Sequence, residues 1–188
     1  MRKWRGRQCQ QTRSAVAPRP GARLVVLAMV ALLAMVGVPA LGSLVERSRV
    51  ASATTAMAVS LANVRMRAVE SATPYTLCPS TTGQDCERGS DWSRGWIAFA
   101  DLDRSGQREA SEAVADRIDA PAPAQVRIQT TQGRSRLVFQ PDGSAGGSNV
   151  TFEFCARGAS AWTARQIVVS NVGRARLVER PTVNRCNR

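Results

Sequence analysis

An α+β fold is predicted, one long N-terminal helix packed on an antiparallel β-sheet, and three features of the sequence carry the prediction. From Leu24 to Leu41 the chain runs for 18 uncharged residues, LVVLAMVALLAMVGVPAL. From Leu44 to Glu70 it has no Gly or Pro, and its apolar residues recur at helical spacing. Beyond Glu70 the pattern changes to short β-like runs separated by turn residues.

As a helix the first run would span roughly 27 Å at ~1.5 Å per residue, close to a ~30 Å hydrocarbon core. It is apolar all round, which a soluble core helix is not. Residues 1–21 form a basic leader, and residues 1–41 as a whole hold seven positive and no acidic side chains. That asymmetry keeps the leader cytoplasmic and exports the remainder of the chain. Ala40-Leu41-Gly42 also has the small-x-small form of a signal-peptidase site. Against removal there, the run continues into a second helical pattern. Leu44, Val50, Met57, Leu61, Val64 and Ala68 recur on one face, with Glu46, Arg47, Arg49, Arg65 and Arg67 between them. Residues 22–70 are therefore expected to form one helix, its first half membrane-anchoring and its second amphipathic, bent near Gly37, Pro39 and Gly42.

Residues 71–188 are expected to form a β-rich head. The strand candidates are Thr73–Cys78, Gly95–Ala100, Ala113–Ile118, Gln125–Thr130, Ser135–Gln140, Val150–Ala156, Arg165–Ser170 and Arg174–Val178. Gln140-Pro-Asp-Gly-Ser144 and Asn171-Val-Gly173 read as turns, and Ser144–Asn149 as a Gly/Ser-rich loop.

Charge and cysteine usage narrow the function classes. There are 26 Lys+Arg against 14 Asp+Glu, and Lys3 is the only lysine. Residues 121–188 alone hold ten Arg and three acids, a basic surface of the kind that attracts polyanions. Of the five cysteines, Cys9 lies in the leader and Cys78, Cys86, Cys155 and Cys186 in the head. With no C-x-x-C pair and no histidine, zinc is not expected, and disulfides in an oxidising compartment fit better. Local pairing gives Cys78–Cys86 and Cys155–Cys186, one of three connectivities. Catalysis has no candidate base, nucleophile motif or phosphate-binding glycine loop, so no enzyme and no cofactor is expected.

Gly173-Arg174-Ala175-Arg176 is the main candidate site. In a strand, Arg174 and Arg176 share a face about 6.6 Å apart, comparable with neighbouring phosphates on one nucleic acid strand. Each guanidinium offers forked donors to phosphate oxygens. Arg165, Arg180 and Arg185 would extend the patch, and Glu179 would weaken it. The plainer alternative is a solvated strand edge whose arginines discourage pairing. Asp101-x-Asp103-x-Ser105-Gly106, with Glu112 six residues on, matches a Ca²⁺-loop spacing. Arg104 and Arg108 inside that loop favour a polar hairpin connection, and no metal is expected. Trp92 and Trp96 read as core, whereas Trp162 beside the basic strand is a base-stacking candidate.

Several ordered stretches together resemble the GspH/FimT family of type II secretion pseudopilins and type IV minor pilins. They are Leu77-Cys78-Pro79-Ser80 with Gly83 and Cys86, Asp91–Phe99, and the Asp101–Gly106 loop. Leu137–Gly143, Phe152–Cys155 and Val168–Leu177 complete the set. The resemblance runs from about Leu24 to Val178 and implies a type IV pilin-like fold. It also implies that the loop at Asp101 is a hairpin connection. In FimT-type pilins the Gly-Arg-x-Arg pattern is linked to DNA binding during natural transformation, and Gly173, Arg174 and Arg176 supply it here. The family is usually cut by prepilin peptidase after a Gly that precedes Phe-Thr-Leu-x-Glu. Gly21 is one matching position, followed by Ala22-Arg23-Leu24-Val25-Val26 without the aromatic or the glutamate; alignment on Pro39 instead places the cut after Ala17, before Pro18.

The resemblance thus implies a minor pilin held in the inner membrane by residues 24–41, its head in the periplasm, joining other pilins in an extracellular pilus. DNA would be bound by its phosphate backbone, independently of sequence. The alternative is a structural pseudopilin of a type II secretion system that binds no DNA.

Overall fold

The computed structural model describes residues 20–120, 125–147, 149–156 and 164–179; within the helix, the side chains at 20, 22, 23, 26, 36–41 and 43 lie outside that description. The chain divides into two compact units, Met1–Leu41 and Gly42–Arg188. Helix α1 runs from Pro20 to Glu70. In its first part Leu24, Val25, Leu27, Met29, Val30, Leu32, Leu33 and Met35 are all exposed, as an apolar helix without a protein partner must be. The run expected to cross a membrane includes side chains outside the description. Among the described residues no helix is long and apolar enough to do so. The bend expected near Gly37, Pro39 and Gly42 falls about the division between the two units.

In the second unit, Val50, Ala53, Met57, Leu61, Val64 and Ala68 of α1 are buried, at the three- and four-residue spacings of one helix face. Leu44, expected on that face, is exposed, and Ala53 takes a place that the hydrophobic pattern did not mark. The helix ends where Ala72 adopts a positive φ of 51° and Thr73 N–H bonds back to Ala68 O.

Among the described residues eight strands follow: β1 Tyr75–Pro79, β2 Gly95–Ala100, β3 Val114–Asp119, β4 Val126–Thr130, β5 Leu137–Phe139, β6 Val150–Ala156, β7 Arg165–Val169 and β8 Ala175–Val178. They form two four-stranded sheets, where the sequence had suggested one. The first has the order β3-β2-β1-β5 and the second β4-β6-β7-β8, and every pairing is antiparallel. Ser90–Ser93 stitch the two together along the free side of β4. Thr130 N–H donates to Ser90 O, Trp92 N–H to Ile128 O, and Ile128 N–H to Ser93 Oγ.

One core holds the head together. The buried face of α1 packs with Leu77, Trp92, Trp96, Phe139, Phe152, Phe154, Ile167 and Val169. Both Trp92 and Trp96 belong to it, as expected. Trp96 Nε1–H donates to Ser60 Oγ at 3.0 Å, and Ser60 Oγ–H to Asp116 Oδ2 at 2.8 Å. This relay ties α1 to β2 and β3 through polar atoms that would otherwise be buried unpaired.

A second, smaller cluster of Cys78, Ile97 and Phe99, with Cys86 and Val114 against it, covers the other face of the first sheet. Covering on both faces explains why β1 and β2 are buried almost throughout and lack alternation. Cys78 and Cys86 are joined by a disulfide, which lays the loop between them over this cluster. Replacing both cysteines with serine is expected to lower stability by about 2 kcal/mol, the short closed loop limiting the entropic gain. Thermal unfolding followed by circular dichroism, with and without reductant, measures it. Cys155 is also disulfide-bonded. Its expected partner Cys186 lies outside the described residues.

Candidate nucleic-acid interface

The β7–β8 hairpin carries the site. Its last cross-strand pair is Val169 with Ala175, and Ser170–Arg174 form the turn. Gly173 N–H donates to Ser170 O, Ser170 N–H to Arg174 O at 3.0 Å, and Arg174 N–H to Ser170 Oγ at 3.3 Å. These bonds use the backbone of Arg174, so β8 begins one residue later than expected. Gly173 has a φ of 75°, and a Cβ there would overlap the carbonyl oxygen of Gly143 in the Gln140–Ser144 turn. The glycine is thus required twice, by its backbone conformation and by the closeness of the second turn.

Arg65 of α1 braces both turns. Its Nε–H donates to Gly143 O at 2.8 Å and its Nη2–H to Val172 O at 3.4 Å. Ala145 N–H donates to Asn171 O at 2.8 Å and completes the junction. From sequence, Arg65 is only one of the polar residues of the helix. Its two partners are 78 and 107 residues away, so no local spacing marks it.

From this junction Arg174 and Arg176 enter an exposed edge. Among the described residues β8 pairs only with β7, and neither arginine makes an ion pair. The register assigns their face. Ala175 and Leu177 lie opposite Val169 and Ile167, whose side chains are in the core. Arg176 lies opposite Val168, so it and Arg174 belong to the outward face. Glu153, on the outward face of β6, is buried and accepts a bond from Gln166 Nε2 at 3.2 Å. Asp142, on the neighbouring turn, is held below the usual carboxylate range by the hydroxyl and N–H of Ser144.

Arg165 does not join the pair. It lies opposite Phe154, on the core side of β7, and its guanidinium reaches Glu179 Oε1 at 3.9 Å. The alternation that brings Arg174 and Arg176 together sends Arg165 to the other face. Arg180, Arg185 and Trp162 lie outside the described residues. Gly21 is an exposed residue of the first turn of α1.

The loop between β2 and β3 brings Asp101, Asp103 and Glu112 together, with ligand atoms within 4.8 Å of one another. Each carboxylate is engaged by the protein itself. Asp101 accepts from Thr76 Oγ1 and Gly106 N–H, and Glu112 from the N–H groups of Leu102 and Glu109. Asp103 accepts from Ser105 N–H, which holds its carboxyl below the ordinary range. These bonds make the stretch a self-satisfied hairpin connection.

The family described as type II transport protein GspH matches residues 53–173, from the buried face of α1 to the glycine of the β7–β8 turn. The chain belongs to the GspH family. Among solved structures, this GspH-family chain is similar to the type IV minor pilin FimU of Pseudomonas aeruginosa. The two are 20% identical, with a TM-score of 0.54 over 71% of this chain and 90% of that one. The minor pseudopilin EpsH from the type 2 secretion system of Vibrio cholerae aligns at 10% identity and a TM-score of 0.48, over 68% and 96% of the two chains. No curated protein matches the sequence. The family match makes the chain a GspH-family protein, and the likeness to FimU shows a shared pilin-like fold.

Proposed function

We propose that this GspH-family protein is a minor pilin of a type IV pilus that captures extracellular DNA for uptake in natural transformation. The observation that carries the reading is the pair Arg174 and Arg176 on the outward face of an edge strand, exposed and without an ion pair among the described residues. Two such guanidiniums grip adjacent phosphates without reading bases, which suits DNA of any sequence. The basic composition of residues 121–188 supplies a field that draws a polyanion in.

The proposal places residues 24–41 in the inner membrane before assembly, with the head in the periplasm and then on the extracellular pilus. The uncharged run and the all-round exposure of its described apolar side chains support that placement. Processing by prepilin peptidase after Gly21 belongs to the same proposal. Other pilins are the assembly partners. Between Val50 and Val64 the helix carries no charge, and its open side, with Ser52, Thr55, Val59 and Ala62, suits helix–helix packing.

The test is DNA binding by the full chain in detergent, measured by fluorescence anisotropy across a salt series. Wild type is expected to bind with affinity that falls steeply with salt. Arg174→Gln with Arg176→Gln is expected to lose about tenfold or more and to flatten the log–log salt slope by roughly 1.8, two phosphate contacts at ~0.9 each. A folded wild type that binds no DNA at low salt would make the protein a structural pseudopilin of a type II secretion system.

A further inference from the structure

The cavity beside β5 plays no part in that reading. Its volume is about 340 Å3, and Arg104, Arg134, Arg136, Asp101, Val138 and Gln140 are among the residues lining it. Three segments converge there: 101–106 after β2, 134–136 before β5, and 140–146 after β5. Val138 belongs to β5, which lies at the edge of the first sheet. The wall is therefore made of loop side chains against a strand edge, open to solvent.

Its chemistry is one-sided. Three arginines, Arg104, Arg134 and Arg136, and Gln140 line it with a single acidic residue, Asp101. Asp101 is already engaged by Thr76 Oγ1–H at 2.7 Å and by Gly106 N–H at 3.1 Å. Asp103 and Glu112 accept from N–H groups of their own loop and are not part of the wall. Arg136 spends one donor, Nη1–H to Ser105 O at 3.2 Å. Among the described residues, neither Arg136 nor Arg104 makes an ion pair.

The backbone leaves room for the arginines at the opening. Arg104 has a φ of 59°, left-handed for a non-glycine residue, in the loop that borders the cavity. Gly106, at a φ of 67°, leaves the space in which the Arg136 guanidinium lies, and a Cβ there would overlap Nη1. The two cations are thus carried by different loops and set against one opening.

We propose that this cavity binds a small phosphate-bearing anion, of diphosphate to nucleotide size, with Arg104 and Arg136 as its principal ligands. A carboxylate fills one guanidinium fork, whereas the several oxygens of a phosphate group satisfy forks from more than one direction. A single phosphate would underfill the space, which is comparable with the smaller small-molecule sites at about 300 Å3. A free anion and the terminal phosphate of a nucleic acid present the same chemistry. The site shares no residue with the Arg174/Arg176 edge, so the two readings stand or fall separately.

Isothermal titration of the full chain in detergent with inorganic diphosphate, at constant ionic strength, tests the proposal. Saturable one-to-one binding is expected, unchanged in Arg174→Gln with Arg176→Gln. It should weaken about tenfold or more in Arg104→Gln with Arg136→Gln. Competition by a 5′-phosphorylated dinucleotide, but not by its 5′-hydroxyl form, would identify a nucleic acid end as the source; competition by neither would identify the free anion. Circular dichroism checks that the double variant folds. If it does not, Arg104→Gln alone, at an exposed side chain, is expected to weaken binding measurably. No saturable binding by wild type, or undiminished binding by the folded variant, overturns the proposal.

Discussion

Gly173→Val is expected to destabilise the head by about 3 kcal/mol or more and to weaken DNA binding with both arginines still present. A β-branched residue in the left-handed region costs roughly 1–2 kcal/mol, and forcing a side chain into occupied space roughly 1–3 kcal/mol more. The occupied space is specific: the new Cβ would overlap the Gly143 carbonyl oxygen, which Arg65 also holds. Gly147 is the control, because its φ of 79° is close to the 75° of Gly173 while nothing lies within 4 Å of its Cβ position. Gly147→Ala should therefore cost only about 1 kcal/mol, the backbone term alone. Thermal unfolding of Gly173→Ala, Gly173→Val and Gly147→Ala separates backbone strain from collision between the turns. Equal losses for the two alanine variants would mean that the turn–turn contact contributes nothing.

The second large effect is expected from Phe152→Ala. Phe152 is fully buried in β6 and meets Trp92 edge-on, with ring centroids 5.1 Å apart and planes at 85°. Removing a buried ring and leaving its cavity costs about 3–5 kcal/mol. For a head of this size that corresponds to a drop in Tm of roughly 10–20 °C. Trp92 should also report the change directly through its fluorescence, since its ring loses the partner at its edge. Val172→Ala, at a side chain 60% exposed, provides the neutral comparison. A Tm loss for Phe152→Ala no larger than that of Val172→Ala would show that this part of the core is not packed as described.

The strands legible in the sequence are those whose ends coincide with turn residues. Gly95–Ala100 and Val150–Ala156 have the bounds their sequences suggest. The others are shorter or shifted because backbone groups at their ends are used elsewhere. Thr73 bonds to the end of α1, so β1 begins at Tyr75. Gln140 N–H turns to Ser144 O and Thr130 Oγ1–H to Arg134 O, which reduces β5 to Leu137–Phe139. Division into two sheets was not legible, because it depends on which strands pair across long intervals, and the stitch at Ser90–Ser93 leaves no periodicity.

For the candidate site, alternation alone was enough to put Arg174 and Arg176 on one face. The same alternation, with the register of β7, removes Arg165 from it, and the register was not available from spacing. The Asp101–Glu112 spacing did foretell a convergence of carboxylates. It did not foretell that Thr76 Oγ1–H and the loop's own N–H groups would satisfy them.

The grip of Arg65 on Gly143 and Val172 also determines how the head carries force. A pull along α1 reaches the β7–β8 turn directly through the Arg65 side chain, beside the core contacts of Ile167 and Val169. Tension between the helix and anything held at Arg174 and Arg176 is therefore shared between this short tether and the core. Rupture of the two hydrogen bonds to the Arg65 guanidinium would free the β7–β8 turn from the helix, while Ile167 and Val169 keep β7 in the core.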